Sequence, residues 1–118
     1  RATAGNLNNH IGVPLTLLSI TADTEVAIVE MGANHPGEIA FLCSIARPDM
    51  GILTNIGTAH IEGFKSRENI ITTKKALFES VKNSHSSKAH LFVNQDDEAL
   101  KDYDFEAKTI FSCQSFGL

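Results

Sequence analysis

The sequence predicts an α/β layered fold, with a mainly parallel sheet flanked by helices. Three observations carry this. Short apolar runs with no polar alternation recur along the chain, the pattern of strands covered on both faces. Segments with apolar residues at helical spacing lie between them, and that alternation builds βαβ units. The composition, 42% hydrophobic and 20% charged over 118 residues, is that of a soluble domain large enough to bury one core.

Residues 1–10, RATAGNLNNH, are polar and amide-rich with no period and read as a loop. VPLTLLSI (13–20) predicts a short helix, with Pro14 tolerated in its first turn. EVAIVEM (25–31) predicts a strand with a continuous apolar centre. PGEIAFLCSIA (36–46) predicts a helix: Ile39, Leu42, Cys43 and Ala46 fall at helical spacing and Pro36 suits its start. MGILTNI (50–56) is a second buried strand, and SRENIITTKKALFESVK (66–82) is the longest helix. AHLFVN (89–94) is a third strand, DDEALKDY (96–103) a short helix and KTIFSC (108–113) a last strand. No repeat, low-complexity tract or linker interrupts this order.

A net charge of -4 argues against broad nucleic-acid or anionic-membrane binding, which want basic patches. No apolar run approaches the roughly 20 residues of a membrane span, and no signal peptide is visible. Arg1 is not an initiator methionine, so the natural N-terminus is expected upstream. Cys43 and Cys113 are far apart and fit no metal spacing; they read as reduced thiols of a cytoplasmic protein.

In parallel α/β sheets ligands bind outside the carboxyl ends of the strands. That rule directs attention to Glu30–Asn34, Asn55–Gly63 and Asn94–Asp97. Glu30 ends an apolar run, close to a glycine that permits near approach, and a carboxylate there suits Mg²⁺. The plainer reading is an exposed charge ending a strand. His60, in the two-glycine loop NIGTAHIEG (55–63), could bind a metal or a phosphate, or cap the following segment. On the long helix, stepping about 100° per residue from Ile70, the stripe of Ile70, Ile71, Leu77, Phe78 and Val81 centres near about 40°. Lys74 falls in its middle. An unpaired buried ammonium is costly, so Lys74 snorkels outward, binds a phosphate, or loses its proton and is used chemically. Asn6, Asn8 and Asn9 supply donors and acceptors without charge, which suits a sugar or nucleotide. Equally, they suit an amide-rich turn that caps the next helix.

These stretches occur together, in order, in one family. GNLNNHIGVPLTLL, EMGANHPGEIA, ARPDMGILTNIGTAHIEGF and KKALF resemble the central ATPase domain of the Mur ligases, from residue 4 onward. The words are most similar to those of the family member that joins D-alanyl-D-alanine to UDP-N-acetylmuramoyl-tripeptide. Other Mur ligases, folylpolyglutamate synthase and cyanophycin synthetase share the architecture but vary the words.

The resemblance implies a P-loop-type domain, but no G-x-x-G-K-[ST] phosphate loop occurs in these residues. The expectation is therefore a partial central domain, 1–118, lacking its first strand and phosphate loop and inactive alone. Its UDP-sugar and C-terminal domains would be supplied by the same longer chain. The implied reaction uses ATP to convert the tripeptide carboxylate to an acyl phosphate, which the dipeptide amine attacks. Mg²⁺ neutralises the crowded charge. Carried over by motif, Glu30, His60 and Lys74 match metal-holding positions. His60 and Lys74 are also the catalytic candidates, and in relatives the lysine is carbamylated. Asn6, Asn8 and Asn9 match an amide cluster near substrate and nucleotide, while His35 and Glu38 are expected to cap a helix. A different Mur-type or folate-type ligase, or a non-catalytic nucleotide-binding module, are the other readings; the upstream sequence would separate them.

Overall fold

A computed structural model describes residues 1–54, 65–100 and 105–112. Among them are three helices, α1 (Gly12–Leu18), α2 (Glu38–Ala46) and α3 (Arg67–Asn83), and three strands, β1 (Met50–Leu53), β2 (His90–Asn94) and β3 (Lys108–Phe111). The strands form one parallel sheet in the order β1-β2-β3. Met50 pairs with His90 and Leu53 with Val93; Leu91 pairs with Lys108 and Asn94 with Phe111. Parallel neighbours need a long crossover, and α3 supplies the one between β1 and β2.

Local chemistry sets the helix ends. The Ser66 hydroxyl accepts the Asn69 N–H at 3.2 Å and caps α3, with Glu68 in the first turn and Lys82 in the last, each favourable to the helix dipole. Gly37, at φ 86°, takes the left-handed turn into α2 that a side chain would resist. Arg47 ends α2 at φ 50°, and Pro48 cannot continue it.

The core lies between α3 and the sheet. Ile70, Phe78 and Val81 of α3 meet Leu91 and Val93 of β2 and Leu100, all fully buried. β1 passes close beneath the helix: the Gly51 backbone lies against Leu77 and Val81. α2 packs on α3 and α1 on α2. Val13, Ile39, Leu42 and Cys43 are buried in that layer.

Two predicted elements differ. The segment 25–31 is extended but is not a strand; it makes a single parallel bridge, Ala2 to Ile28. A strand is defined by its ladder, and residues 1–3 offer it two backbone bonds, Thr3 N–H to Ile28 O at 3.0 Å and Ile28 N–H to Arg1 O at 2.6 Å. Val26 and Ile28 remain exposed, so the apolar run is not covered on both faces as predicted. The predicted helix 96–103 is, over its described residues 96–100, a series of turns. Asn94 Oδ1 takes the Asp96 N–H and Asp97 Oδ1 takes the Ala99 N–H, at 3.0 and 2.9 Å. Such side-chain acceptors compete with helical backbone bonding. No helix among the described residues is long and apolar enough to cross a membrane.

Candidate functional site

The loop after residue 28 and the loop before α1 come together around Glu30. The Asn8 Nδ2 donates to Glu30 Oε1 at 3.3 Å, and the Glu30 N–H donates to the Thr3 hydroxyl at 2.8 Å. The Gly32 N–H donates to the Asn8 carbonyl at 2.8 Å, which ties the two loops a second time. Glu30 is exposed and Asn8 half-buried. Ala33, three residues on, packs against the core to which α3 contributes. The carboxylate therefore projects from a segment anchored at both ends.

The asparagines divide their work. Asn9 Oδ1 accepts the N–H groups of Ile11 and Gly12, at 3.1 and 2.9 Å, and caps the start of α1. Asn8 turns to Glu30. Asn6 is exposed, and its carbonyl accepts the Asn8 N–H at 2.8 Å. The amide-rich word is thus a helix cap at Asn9 and a carboxylate partner at Asn8, two roles that the sequence left undivided.

Lys74 lies on α3 between fully buried Ile70 and Phe78 and is half-buried. α3 is covered by α2 on one side and by the sheet on another, so its buried face is wider than the apolar stripe and takes in Thr73. His60 lies outside the described residues. Among the described residues no three His, Cys, Asp or Glu side chains cluster as a metal-holding group.

Asn94, at the carboxyl end of β2, was singled out in the sequence only as part of a strand end. It is buried, donates from Nδ2 to the Thr54 carbonyl and accepts from Asp96 at Oδ1. The Ser112 hydroxyl bonds the Asp96 carboxylate at 2.9 Å. These bonds lock the carboxyl ends of all three strands, where a parallel sheet presents its ligand site. A buried amide has no periodic signature, so only its place at a strand end pointed to it.

His35 and Glu38 do not cap α2 as expected: the helix has no side-chain cap, and the two residues brace the turn that precedes it. Glu38 accepts the Asn34 N–H at 2.7 Å, and its other oxygen meets His35 Nδ1 at 3.2 Å. Burial pushes the Glu38 carboxyl up, but the bonds from Asn34 and His35 outweigh it and hold the group below its ordinary range. Cys43 is a free, buried thiol that burial pushes up and a bond with Ser80 only partly offsets. It donates to the Met31 sulfur at 3.8 Å and is a packing residue. Cys113 lies outside the described residues.

Against this geometry, the family model for the Mur ligase middle domain matches residues 1–117. The chain belongs to the Mur ligase family, within its middle domain. It is 49% identical over 76 residues to the UDP-N-acetylmuramoyl-tripeptide–D-alanyl-D-alanine ligase of Escherichia coli K12, covering 64% of this chain and 17% of that ligase. Against the ligase of the same name from Bacillus subtilis it is 45% identical over 80 residues, 68% of this chain and 18% of the other. A crystal structure of MurF from Acinetobacter baumannii superposes with a TM-score of 0.75 at 33% identity, over 94% of this chain and 24% of that one. MurF from Thermotoga maritima in complex with ADP gives 0.73 at 34% identity, over 95% and 25%. The chain thus spans less than a fifth of the length of these curated relatives. The α/β Mur ligase architecture read from the sequence is the one observed.

Proposed function

We propose that this Mur ligase segment is part of an ATP-dependent ligase of peptidoglycan precursor synthesis. The ligase adds D-alanyl-D-alanine to UDP-N-acetylmuramoyl-tripeptide through an acyl phosphate in the cytoplasm. The observation that carries the proposal is the 45–49% identity to two proteins both named for that ligation. UDP-sugar-binding and C-terminal domains are assigned to other parts of the same ligase.

Glu30 is proposed as a Mg²⁺ ligand. Its donor chemistry fits: an exposed carboxylate offers hard oxygens, and Asn8 occupies only one lone-pair direction of several. His60 and Lys74 are assigned to the same function, Lys74 as a carbamate. Carbamylation by CO₂ turns the amine into an oxygen donor. When bound, Mg²⁺ supplies charge neutralisation between the transferring phosphoryl group and the attacking carboxylate. The chain's own contribution is positional. Glu30 is fixed from Asn8 and Thr3, Lys74 is carried on a helix locked into the core, and Asn94 holds the carboxyl ends of the strands. Asn6, whose side chain is exposed, is the amide proposed to meet a nucleotide or substrate phosphate; the Asn8 amide is engaged by Glu30 and the Asn9 oxygen by the helix cap.

The test is phosphate release by the complete ligase carrying this segment. Release should require ATP, UDP-N-acetylmuramoyl-tripeptide and D-alanyl-D-alanine together. Turnover with a single amino acid or with a folate acceptor in place of the dipeptide would overturn the assignment.

A further inference from the structure

We propose that Asn8 is a positioning residue for Glu30, and that residue 32 is glycine to leave room for it. The inference rests on the reading of Glu30 as a divalent-cation ligand and adds the group that aims it. A glutamate side chain on the surface samples several rotamers, and a metal site needs one of them. Here the backbone of Glu30 is pinned by its N–H bond to the Thr3 hydroxyl at 2.8 Å, and the carboxylate by the Asn8 Nδ2 at 3.3 Å. An ionised carboxylate only accepts, so the amide group of Asn8 must present its NH₂ end. Asn8 is itself held: its N–H donates to the Asn6 carbonyl and its carbonyl accepts the Gly32 N–H, both at 2.8 Å.

Gly32 shows how tightly the amide is placed. A Cβ built there would lie 2.8 Å from Asn8 Nδ2 and 2.9 Å from its Cγ. The Gly32 backbone is not among the positive-φ positions. Conformation therefore does not demand glycine; the space taken by the Asn8 amide does. The Asn9 side chain is held elsewhere, its oxygen taking the Ile11 and Gly12 N–H groups at the start of α1. Hydrogen-bond partners that orient a metal-ligating carboxylate are worth roughly 10–100-fold in metal affinity.

The experiment titrates Mn²⁺ into the complete ligase with ADP present, read by electron paramagnetic resonance, for wild type, Asn8→Ala, Gly32→Ala, Glu30→Gln and the double variant Asn8→Ala/Glu30→Gln. Asn8→Ala should weaken Mn²⁺ binding by roughly 10–100-fold. Gly32→Ala, which keeps Asn8 but displaces its amide, should do the same, and so guards against a folding artefact in the first variant. The double variant should bind Mn²⁺ no more weakly than Glu30→Gln alone, since Asn8 acts through Glu30. ADP affinity without metal should not change in Asn8→Ala. Additive losses, or a loss of metal-free ADP affinity, would make Asn8 a direct ligand contact and overturn the proposal. Unchanged Mn²⁺ affinity in Asn8→Ala beside a weakened Glu30→Gln would overturn it while leaving the metal role of Glu30 standing. Unchanged affinity in Glu30→Gln would overturn that underlying reading itself.

Discussion

Replacing Asn94 with alanine tests whether the carboxyl ends of the strands are held by one buried amide. Asn94 is 4% exposed; it donates to the Thr54 carbonyl and accepts the Asp96 N–H. Asn94→Ala removes both bonds and frees one carbonyl and one N–H. A freed buried group costs about 1–3 kcal/mol. Thr54 and Asp96 are themselves exposed residues, so water reaches the freed groups and the lower figure applies to each. The sum is about 2 kcal/mol, or roughly 30-fold in a local opening equilibrium. Hydrogen exchange read by mass spectrometry on the complete ligase measures it. Peptides covering 50–54 and 91–97 should exchange roughly 30-fold faster in the variant. A change below about threefold would mean that the strand pairing, with Leu53 opposite Val93, holds this end unaided. Asn94→Asp sharpens the test. It keeps an acceptor for Asp96 but sets an anion against the Thr54 carbonyl, and burial raises the folded-state pKa of such a carboxyl. Its stability relative to wild type should be best below the ordinary carboxylate pKa and fall as pH rises through the raised value. The alanine deficit should stay flat with pH.

Three other outcomes are expected. Lys74→Ala in the complete ligase should reduce turnover by on the order of 100-fold or more, with partial recovery on adding a short carboxylic acid. Lys74→Arg should not recover it, because a guanidinium does not lose its proton to be carbamylated; unchanged turnover in Lys74→Ala would remove the residue from the mechanism. Glu38, held below its ordinary pKa by Asn34 and His35, stabilises the fold at pH above the ordinary carboxylate range and loses that contribution as pH falls through its lowered value. Thermal unfolding of Glu38→Gln should therefore show a flatter acid limb than wild type; parallel curves would contradict this. Ser66→Ala removes the α3 cap and should cost about 1 kcal/mol, seen as a lower melting temperature that Ser66→Asp largely restores.

The elements readable from the sequence were those whose signal is periodic and whose burial is complete within the chain. α3 is the clearest case: its stripe of Ile70, Phe78 and Val81 is fully buried, and its start at a serine cap falls where the capping chemistry puts it. β2 follows for the same reason, with Leu91 and Val93 buried beneath that helix. The segment 25–31 shows the converse. Its apolar run has the composition of a covered strand, but a strand exists only through neighbours, and here its backbone finds residues 1–3 alone. Composition reports the environment a segment suits, and partners decide whether it forms. At 96–100 the outcome turned on Asn94 and Asp97, whose side chains compete for backbone N–H groups that a helix would use.

The site obeys a different logic, and Asn8 and Asn9 make the point best. They are adjacent and chemically identical, so neither propensity nor spacing can tell them apart. The chain folds so that one caps the helix that follows it and the other reaches a carboxylate 22 residues away. What separates them is the direction each side chain takes from a loop that the Gly32 N–H holds at the Asn8 carbonyl. The family motif could place both asparagines near a ligand but could not divide their labour. The same holds for Glu30: its residue type suggested a metal ligand, while the two partners that hold it, Thr3 and Asn8, lie in another segment. A carboxylate held by an uncharged donor retains its negative charge and most of its lone pairs, whereas an arginine in the same position would neutralise it and compete with a cation. The choice of an amide beside Glu30 is therefore the feature of this loop that bears most directly on its chemistry.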